Sequence, residues 1–376
     1  MQEDFNIFNL LSSGNKELVH TSMLQFLWET EKLGLHQSFF KSTKDKKEIT
    51  LLKEKSVSIK INGVKKRLRF DLVSSDYDFL LENKFKATPT RRQLELYDRF
   101  LADNKQDGSE KFLFVLYKNQ VTQDVKAYCE DFGWQIKSYI GIDEQNDSLL
   151  SYLTGLKYKG MLSSEKEFLI KQYIAYLENV QANIQELVED GDGLYKIKKY
   201  IGKGIMSVRE KQFHYLLHIQ SEISKSLKEK GVKEYDLETT NDGGANVVPS
   251  IAFWQSLTNK DQIIKSLYFG IDGDTMKIGV EYRRKDGERL RDMIREIGSS
   301  NMNGLKSVKQ NKQNIDRIKK GKKNDNKTSV YSLATYTIKE NQKKNDVVED
   351  AVKIIRSYFA DMKNFSSDNQ HIGRKS

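Results

Sequence analysis

Two carboxylates and a lysine stand where the sequence pattern otherwise indicates a buried sheet. Asp71 lies near one end of a predicted apolar strand, in FDLV, and Glu82 and Lys84 lie near the end of the next one, in FLLENK. Charges in such places are costly unless they are paired or bind a metal. Residues i and i+2 of a strand project from one face, so Glu82 and Lys84 would share a face, with the backbone carbonyl of Asn83 between them.

This set of groups suits the hydrolysis of phosphodiesters. Two carboxylates and a carbonyl form a hard oxygen cluster of the kind that Mg²⁺ or Mn²⁺ prefers. A lysine beside such a metal could stabilise or help to deprotonate an attacking water, or could hold a phosphate. The three residues Asp71, Glu82 and Lys84 are therefore the first candidates for an active site.

The elements that must position these groups alternate between helix and strand. Period-2 alternation predicts the early strands, and amphipathic spacing predicts the helices between them. The predicted order is helix 15–33, strands 54–61, 65–73 and 79–86, helix 89–104, strand 111–118, helix 122–132 and strand 134–139. This order predicts an α/β domain of roughly 150 residues with a sheet flanked by helices.

Both helices around the central hairpin carry polar pairs on one face. Glu17 and His20 are i and i+3 on the first helix, and Gln93 and Tyr97 are i and i+4 on the second. Residues at these spacings are neighbours on a helix surface. Each pair is therefore placed to reach the ends of the same strands.

In this order the motifs resemble those of the PD-(D/E)XK nuclease superfamily. Phe70-Asp71 takes the place of the PD pair, with phenylalanine instead of proline, and Glu82-Asn83-Lys84 is the (D/E)XK element. Gln93-Leu-Glu-Leu-Tyr97 matches the QxxxY element of the RecB-like branch. Glu17-x-x-His20 resembles the first-helix motif of bacterial families. The resemblance covers about residues 10–140.

The resemblance implies a restriction-endonuclease-like fold, a mixed sheet flanked by helices, and a role for each strand residue. Asp71 and Glu82 would hold one or two Mg²⁺ or Mn²⁺ ions, and the Asn83 carbonyl would complete the shell. Lys84 would orient or activate water.

The resemblance also implies roles for the helix residues. Glu17 would be an outer metal ligand or a base, and Gln93 would position Lys84. His20 and Tyr97 would contact phosphate or the metal shell.

Positive charge is concentrated late in the chain. The net charge is +10, and residues 305–376 hold 17 Lys/Arg against 8 Asp/Glu, an excess of +9. Within them, segment 306–327 holds 9 basic and 2 acidic residues. Such a segment is the electrostatic signature of a polyanion-binding surface, most simply for nucleic acid, and it is equally typical of a solvated loop. Arg91 and Arg92 are open to the same two interpretations, phosphate contact or surface charge.

The second half of the chain is predicted to be separate from the first. We predict a nuclease-like domain over 1–155, a helical linker over 160–205 and an α+β domain over 206–376 that serves specificity or nucleic-acid binding. The helix predicted at 164–188 has an apolar seam. That seam could pack within the chain, link the domains or form a homodimer contact.

Several classes of protein are not expected. No apolar stretch approaches the roughly 18 residues of a membrane span, and the N-terminus lacks the pattern of a secretory signal. Cys129 is the single cysteine, which excludes an internal disulfide and fits a reducing cytoplasm.

The function expected from the sequence is metal-dependent hydrolysis of DNA, in a cytoplasmic protein that takes part in defence against foreign DNA such as phage genomes. Two alternatives stay open. One is an RNase of the same fold, since the chemistry does not distinguish the sugar. The other is a nucleic-acid- or protein-binding module with a vestigial site, which would bind with a salt dependence but show no turnover.

Overall fold

The computed structural model divides the chain into two compact units. The first reaches Leu187 and the second includes Val208–Ser376. The structure describes residues 7–8, 16–43, 49–61, 63–85, 87–106, 108–142, 147–157, 160–189, 208–232, 238–242, 249–257, 264–297, 328–339 and 341–368.

The first unit follows the helix and strand order predicted for it. Its strands are β1 (Leu51–Ile61), β2 (Val64–Ser74), β3 (Phe79–Lys84), β4 (Glu110–Val115) and β5 (Trp134–Ser138). Its helices are α1 (Lys16–Glu29), α2 (Arg91–Asp103), α3 (Gln123–Phe132), α4 (Leu149–Gly155) and α5 (Ser164–Glu189).

These strands form one mixed sheet in the order β1-β2-β3-β4-β5. The first three are antiparallel neighbours, whereas β3, β4 and β5 run parallel. Helix α1 contacts β1, β2 and β3, and α2 packs Leu94, Tyr97 and Phe100 into a core shared with the sheet. The predicted mixed sheet flanked by helices is thus confirmed.

The largest differences from the prediction in this unit concern two helices. The helix predicted over 15–33 ends at Glu29, because the Thr30 hydroxyl donates to the Phe26 carbonyl and Gly34 adopts a left-handed conformation (φ 60°) after a short 3₁₀ turn. Helix α4 was not predicted at all. Its signal is the cap at Ser148, whose side chain accepts a hydrogen bond from the Ser151 amide.

The second unit contains a five-stranded antiparallel sheet in the order β10-β9-β8-β7-β6. Its strands are β6 (Glu238–Asp242), β7 (Ser250–Ser256), β8 (Ile264–Asp272), β9 (Thr275–Arg283) and β10 (Thr328–Thr337). Its helices are α6 (Val208–Glu229), α7 (Gly287–Ile297) and α8 (Lys344–Asp368). One apolar core joins this sheet to its helices.

The predicted apolar seam of α5 is used inside the chain. Tyr173, Leu177, Val180 and Ile184 are each at most 2% exposed. The seam therefore packs within the chain, the first of its three predicted uses, and a homodimer stays a prediction. The basic segment 306–327 and residues 190–207 of the predicted linker lie outside the described residues.

The helices that the structure describes include none that is long and apolar enough to cross a membrane.

Candidate active site

The central feature of the first sheet is a fork between β2 and β3. These strands pair at Val73↔Leu80 and Leu72↔Leu81. Beyond Leu72, β2 continues alongside β1 to the end of their hairpin, while β3 continues alongside β4. Asp71 and Glu82 are the first residues past the last shared pair, so both predicted carboxylates lie where the two strands separate.

Asp71 occupies the position that a ladder carbonyl would otherwise take. Its Oδ2 accepts a hydrogen bond from the Asn83 backbone N–H at 2.7 Å. A residue in a strand directs its N–H and C=O to the same side, as in a hydrogen-bonded pair. The Asn83 carbonyl therefore also points into the fork, beside the Asp71 carboxylate.

Glu82 is 1% exposed and is held by three donors. Lys84 Nζ at 2.5 Å and Gln93 Nε2 at 2.6 Å both contact its Oε1. The Tyr97 hydroxyl donates to its Oε2 at 2.6 Å. Hydrogen bonds to an ionised group are the strong ones, so one rotamer of Glu82 is fixed on the α2 side of the sheet.

The structure changes the role predicted for Gln93 and favours one of the two contacts predicted for Tyr97. Gln93 was expected to position Lys84, but its amide donates to Glu82 and to the Tyr97 hydroxyl, the latter at 2.8 Å. Tyr97 is 1% exposed, too little for a phosphate contact, whereas its bond to Glu82 agrees with the alternative prediction that it contacts the metal shell. Burial, and then the charge of Glu82, raise the pKa of Tyr97 far above its ordinary value, so its hydroxyl keeps its proton. Both residues position Glu82.

The side chain of Asn83 joins the fork to α1 and to Tyr139, the residue directly after β5. Its Nδ2 donates to the Glu17 carbonyl at 3.0 Å and to Thr21 Oγ1 at 2.9 Å. Its Oδ1 accepts from the Tyr139 hydroxyl at 3.0 Å. From the sequence, a role was predicted for the backbone carbonyl of Asn83 and none for its side chain. The signal for its side chain was a polar residue between Leu81 and Phe85 on an otherwise apolar face.

Glu17 lies near the fork, but its carboxylate is turned toward the loop after β3. Its Oε1 accepts from the Ala87 N–H at 3.1 Å. Its charge still reaches the fork, where it contributes to raising the pKa of Asp71 and of Lys84. This placement fits an outer position better than a direct metal ligand.

His20 is enclosed by aromatic rings. It is 2% exposed, its ring stacks on Phe85 with centroids 3.4 Å apart, and its Nδ1 lies 2.8 Å from the Tyr173 hydroxyl on α5. The predicted contact between His20 and phosphate requires an accessible imidazole, which this packing denies. The placement instead assigns His20 to holding α1 against β3 and α5.

The two arginines that begin α2 are exposed. Arg91 Nε contacts Glu95 Oε1 at 2.8 Å, and its guanidinium lies 5.4 Å from the Tyr128 ring centroid. Both arginines precede Gln93 by one turn or less, so phosphate contact and surface charge remain equally compatible with their position.

The charges at the fork oppose one another. Burial, and then repulsion from Glu82, raise the pKa of Asp71 to about 7. Burial acts to lower the pKa of Lys84, but attraction to Glu82, Asp71 and Glu17 outweighs it and the net shift is upward. Lys84 therefore carries its proton at neutral pH, and the two carboxylates share a single buried cation.

The fork fits a divalent cation in part. The Asp71 and Glu82 carboxylates and the Asn83 carbonyl are hard oxygen donors, and a cation between them would offset the repulsion that raises the pKa of Asp71. Among the described residues no group of three or more His, Cys, Asp or Glu side chains could hold a metal. The donor set thus amounts to two carboxylates and a carbonyl, which suits Mg²⁺, an ion that keeps several of its waters.

The fold and the fork define a phosphodiester hydrolase of the restriction-endonuclease-like type. Residues 5–189 match the family described as the PD-(D/E)XK nuclease superfamily. The chain belongs to this superfamily through its first unit. Nucleases bind nucleic acid, and members of the superfamily generally use divalent metals. No curated protein and no solved structure matches the chain.

Proposed function

We propose that the chain is a Mg²⁺- or Mn²⁺-dependent deoxyribonuclease. The observation that carries the proposal is the fork, where Lys84 contacts Glu82 at 2.5 Å and Asp71 faces the same opening through its bond to Asn83. Asp71, Glu82 and the Asn83 carbonyl would hold the ion. When bound, the ion would polarise the phosphate and lower the pKa of a water.

The chain's own residues would bind and orient the substrate at this opening. Because Lys84 keeps its proton, it would donate to the non-bridging oxygen on which negative charge develops, or orient the attacking water, rather than act as the base. Gln93 and Tyr97 would hold Glu82 in place throughout, and Glu17 would act from the outer position. Arg91 and Arg92 would contact phosphates away from the scissile bond.

The biological setting that we propose is defence against foreign DNA in the cytoplasm. The family match ends at residue 189, so the second unit, with the basic segment 306–327, would serve as the module that recognises the target. The single cysteine, Cys129, is a buried free thiol, as is usual in a reducing compartment.

A cleavage assay with a matched lysine control tests the proposal. Linear DNA, circular DNA and RNA are each incubated with Mg²⁺, Mn²⁺ or EDTA. The proteins are the wild type, Lys84→Ala and Lys111→Ala. Lys111 is a suitable control because it lies on the neighbouring strand β4 and, like Lys84, pairs with a carboxylate. Its partner is the half-buried Asp98 of α2, at 2.7 Å.

We expect metal-dependent cutting of DNA that is lost in Lys84→Ala and kept in Lys111→Ala. Cutting of the circular substrate would identify an endonuclease. Cutting of RNA alone would replace DNA with RNA as the substrate. Binding without turnover under every metal condition would contradict an enzymatic role, and turnover that survives Lys84→Ala would place the active site elsewhere.

A further inference from the structure

The hairpin of β1 and β2 extends well beyond the strands that support it. The two strands stay paired as far as Ile61↔Val64, whereas β3 leaves β2 at Leu72↔Leu81. Residues 55–70 thus form a two-stranded ribbon without β3 at its side. We refer to residues 55–70 as the β1–β2 arm.

The two faces of the β1–β2 arm differ sharply in character. Ile59, Leu68 and Phe70 are buried in the core that also contains α2. Side chains alternate between faces along a strand, so the intervening residues form the opposite face. These are Ser56, Ser58, Lys60, Lys65, Arg67 and Arg69, of which all but the half-buried Ser56 are exposed. We refer to these six residues as the basic face.

The charges of the basic face repel one another. Lys60 and Lys65 are directly opposite in the register, and like charges in that arrangement destabilise a strand pair. Arg67 is oriented by a 2.9 Å hydrogen bond to Ser56 Oγ. Arg69 has a counter-charge in Glu54, at 3.1 Å. An anion laid along this face would turn the repulsion into attraction.

We propose that the basic face binds the sugar–phosphate backbone of the nuclease's nucleic-acid substrate; this inference rests on the proposed function. At about 3.4 Å per residue along a strand, Arg69 lies about 7 Å and Lys65 about 20 Å from Asp71. The distance of about 20 Å from Asp71 to Lys65 corresponds to about six base pairs at 3.4 Å each. The six side chains are cations and hydroxyls, which position a phosphate backbone without reading its sequence.

Charge removal with a matched control tests this binding surface. The test variant carries Lys60→Gln, Lys65→Gln and Arg67→Gln. The control carries Lys105→Gln, Lys166→Gln and Lys171→Gln, three exposed cations of the same unit that lie off the arm. Binding of a labelled duplex of about 20 base pairs is measured by fluorescence anisotropy across a salt series, with EDTA present so that nothing is cut.

The arm variant is expected to reduce the slope of log Kd against log salt by about 3, equally for unrelated sequences. The control loses the same total charge, but at positions away from the arm, and it should therefore bind like the wild type. Equal effects of both variants would overturn the inference, as would a wild type that shows no salt-dependent binding. The cleavage assay described above tests the proposed function separately, because its variants leave the arm unchanged.

A second inference comes from the backbone of Glu54, which lies opposite Asp71. Glu54 has φ 56° in the middle of β1. The 54/71 pair is missing from the ladder, although Lys53↔Leu72 and Lys55↔Phe70 on either side keep the same register. A left-handed conformation costs a residue with a side chain about 1 to 3 kcal/mol.

At the 54/71 position the side chains of the hairpin change the face of the sheet on which they lie. Leu52 and Val57 both pack against the same core, as do Phe70 and Val73. In a regular strand, residues separated by an odd number face opposite ways. The reversal between these positions moves Asp71 off the faces of the sheet and into its plane, where its carboxylate meets the Asn83 N–H.

We infer that Glu54 is a positioning residue for Asp71 and that it acts through its backbone conformation. Its carboxylate contacts Arg69, whose side chain is 62% exposed, and exposed ion pairs of this kind contribute little. The side chain at position 54 should therefore matter only through the conformation it permits.

Three substitutions separate this role from an ordinary strand position. Glycine and asparagine accept the left-handed region, whereas valine does not. Strand propensity ranks them the other way, with valine best. The readouts are the amide proton shift of Asn83 in metal-free protein, which reports its bond to Asp71, and the kcat and KM of cleavage.

We expect Glu54→Gly and Glu54→Asn to keep the Asn83 shift and activity within about threefold, and Glu54→Val to lose the shift and about 100-fold in kcat, the effect of a misplaced catalytic group. An unchanged Asn83 amide shift and unchanged activity in Glu54→Val would overturn the inference. A larger loss of activity in Glu54→Gly than in Glu54→Val would overturn it as well. The amide shift is readable even in a protein that cuts nothing.

Discussion

Two carboxylates of the first unit are held in almost the same way, and only one of them lies at the fork. Glu82 accepts from a lysine, a side-chain amide and a tyrosine hydroxyl. Asp98, on α2, accepts from Lys111 Nζ at 2.7 Å, the Tyr128 hydroxyl at 2.7 Å and Trp134 Nε1 at 2.9 Å. Both carboxylates pair with a lysine that is at most 15% exposed.

The difference lies in what surrounds the two hydrogen-bonded groups. Glu82 stands at a break in the ladder, beside the second carboxylate Asp71 and a backbone carbonyl that faces the opening. The pKa of Asp71 is raised to about 7, so this group is short of positive charge. Asp98 has its counter-charge in Lys111 and a donor on each oxygen. Asp98 also lines a cavity, together with Lys111 and Tyr128. A paired buried carboxylate, even beside an opening, is therefore no sign of catalysis unless excess negative charge accompanies it.

The largest expected contrast is between Glu82→Gln and Asp98→Asn. Glu82→Gln should remove a proposed metal ligand and lower the cleavage rate by about a thousandfold, since a bound metal supplies several kcal/mol of charge stabilisation. Asp98→Asn should leave the rate unchanged below its melting temperature and cost about 3 kcal/mol of unfolding free energy. Rates and urea unfolding of both variants test the contrast.

The stability of Glu82→Gln makes the comparison sharper. Removal of this charge relieves the repulsion on Asp71, so the metal-free variant should lose less unfolding free energy than Asp98→Asn does. Equal losses from both substitutions would mean that the fork carries no excess negative charge. A loss of cleavage in Asp98→Asn would mean that the two carboxylates do not differ in function.

The tyrosines give the next largest contrast. Tyr97→Phe leaves Glu82 Oε2 without its donor and should reduce metal affinity or activity by about 10- to 100-fold. Tyr128→Phe removes the equivalent donor from Asp98 and should leave cleavage unchanged. Each substitution should cost about 1.5 to 3 kcal/mol of stability, as expected for a bond to a charged group. Calorimetric titration with Mn²⁺ and single-turnover cleavage would measure both effects, and equal activities of the two variants would contradict a positioning role for Tyr97.

The sequence predicted the strands and the residues on them, because alternation and motif order are local properties. Asp71, Glu82, Lys84, Gln93 and Tyr97 all lie on the expected elements. The hydrogen-bond partner of each side chain was not predictable in the same way, since Gln93 could reach either Glu82 or Lys84 from the same turn of the helix.

What the sequence could not show depends on distant contacts and on the backbone. The Asn83–Tyr139 bond joins residues 56 apart, and the His20–Tyr173 contact joins residues 153 apart. The conformation of Glu54 has no sequence signal, because glutamate is not a residue that favours positive φ. These contacts become visible only once β5 and α5 are folded against the fork.

The effect of pH on stability should distinguish the fork from the Asp98 group. The pKa of Asp71 is raised from 3.8 to about 7 by folding, so the native state binds more protons than the unfolded state between these values. By linkage, this group's contribution to stability is complete below about pH 4 and falls as the pH rises to about 7.

Saturating Mg²⁺ should cancel that loss, because the ion replaces the proton. Urea unfolding at pH 5 and pH 8 should therefore show greater stabilisation by Mg²⁺ at pH 8. Asp71→Asn should abolish the difference, and Asp98→Asn should keep it. Stabilisation that is the same at both pH values, or that persists in Asp71→Asn, would argue that the ion binds outside the fork.

The smallest expected contrast concerns two exposed arginines on α2. Arg92 directly precedes Gln93, whereas Arg99 follows Asp98 about two helical turns further along the same face of α2. If Arg92 contacts a phosphate, Arg92→Gln should reduce the salt slope of DNA binding by about 1 and raise KM with kcat unchanged. Arg99→Gln removes the same charge about two helical turns farther along α2 and should leave both quantities as they are. Equal slopes for the two variants would reduce Arg92 to surface charge and would confine substrate contact to the fork and the β1–β2 arm.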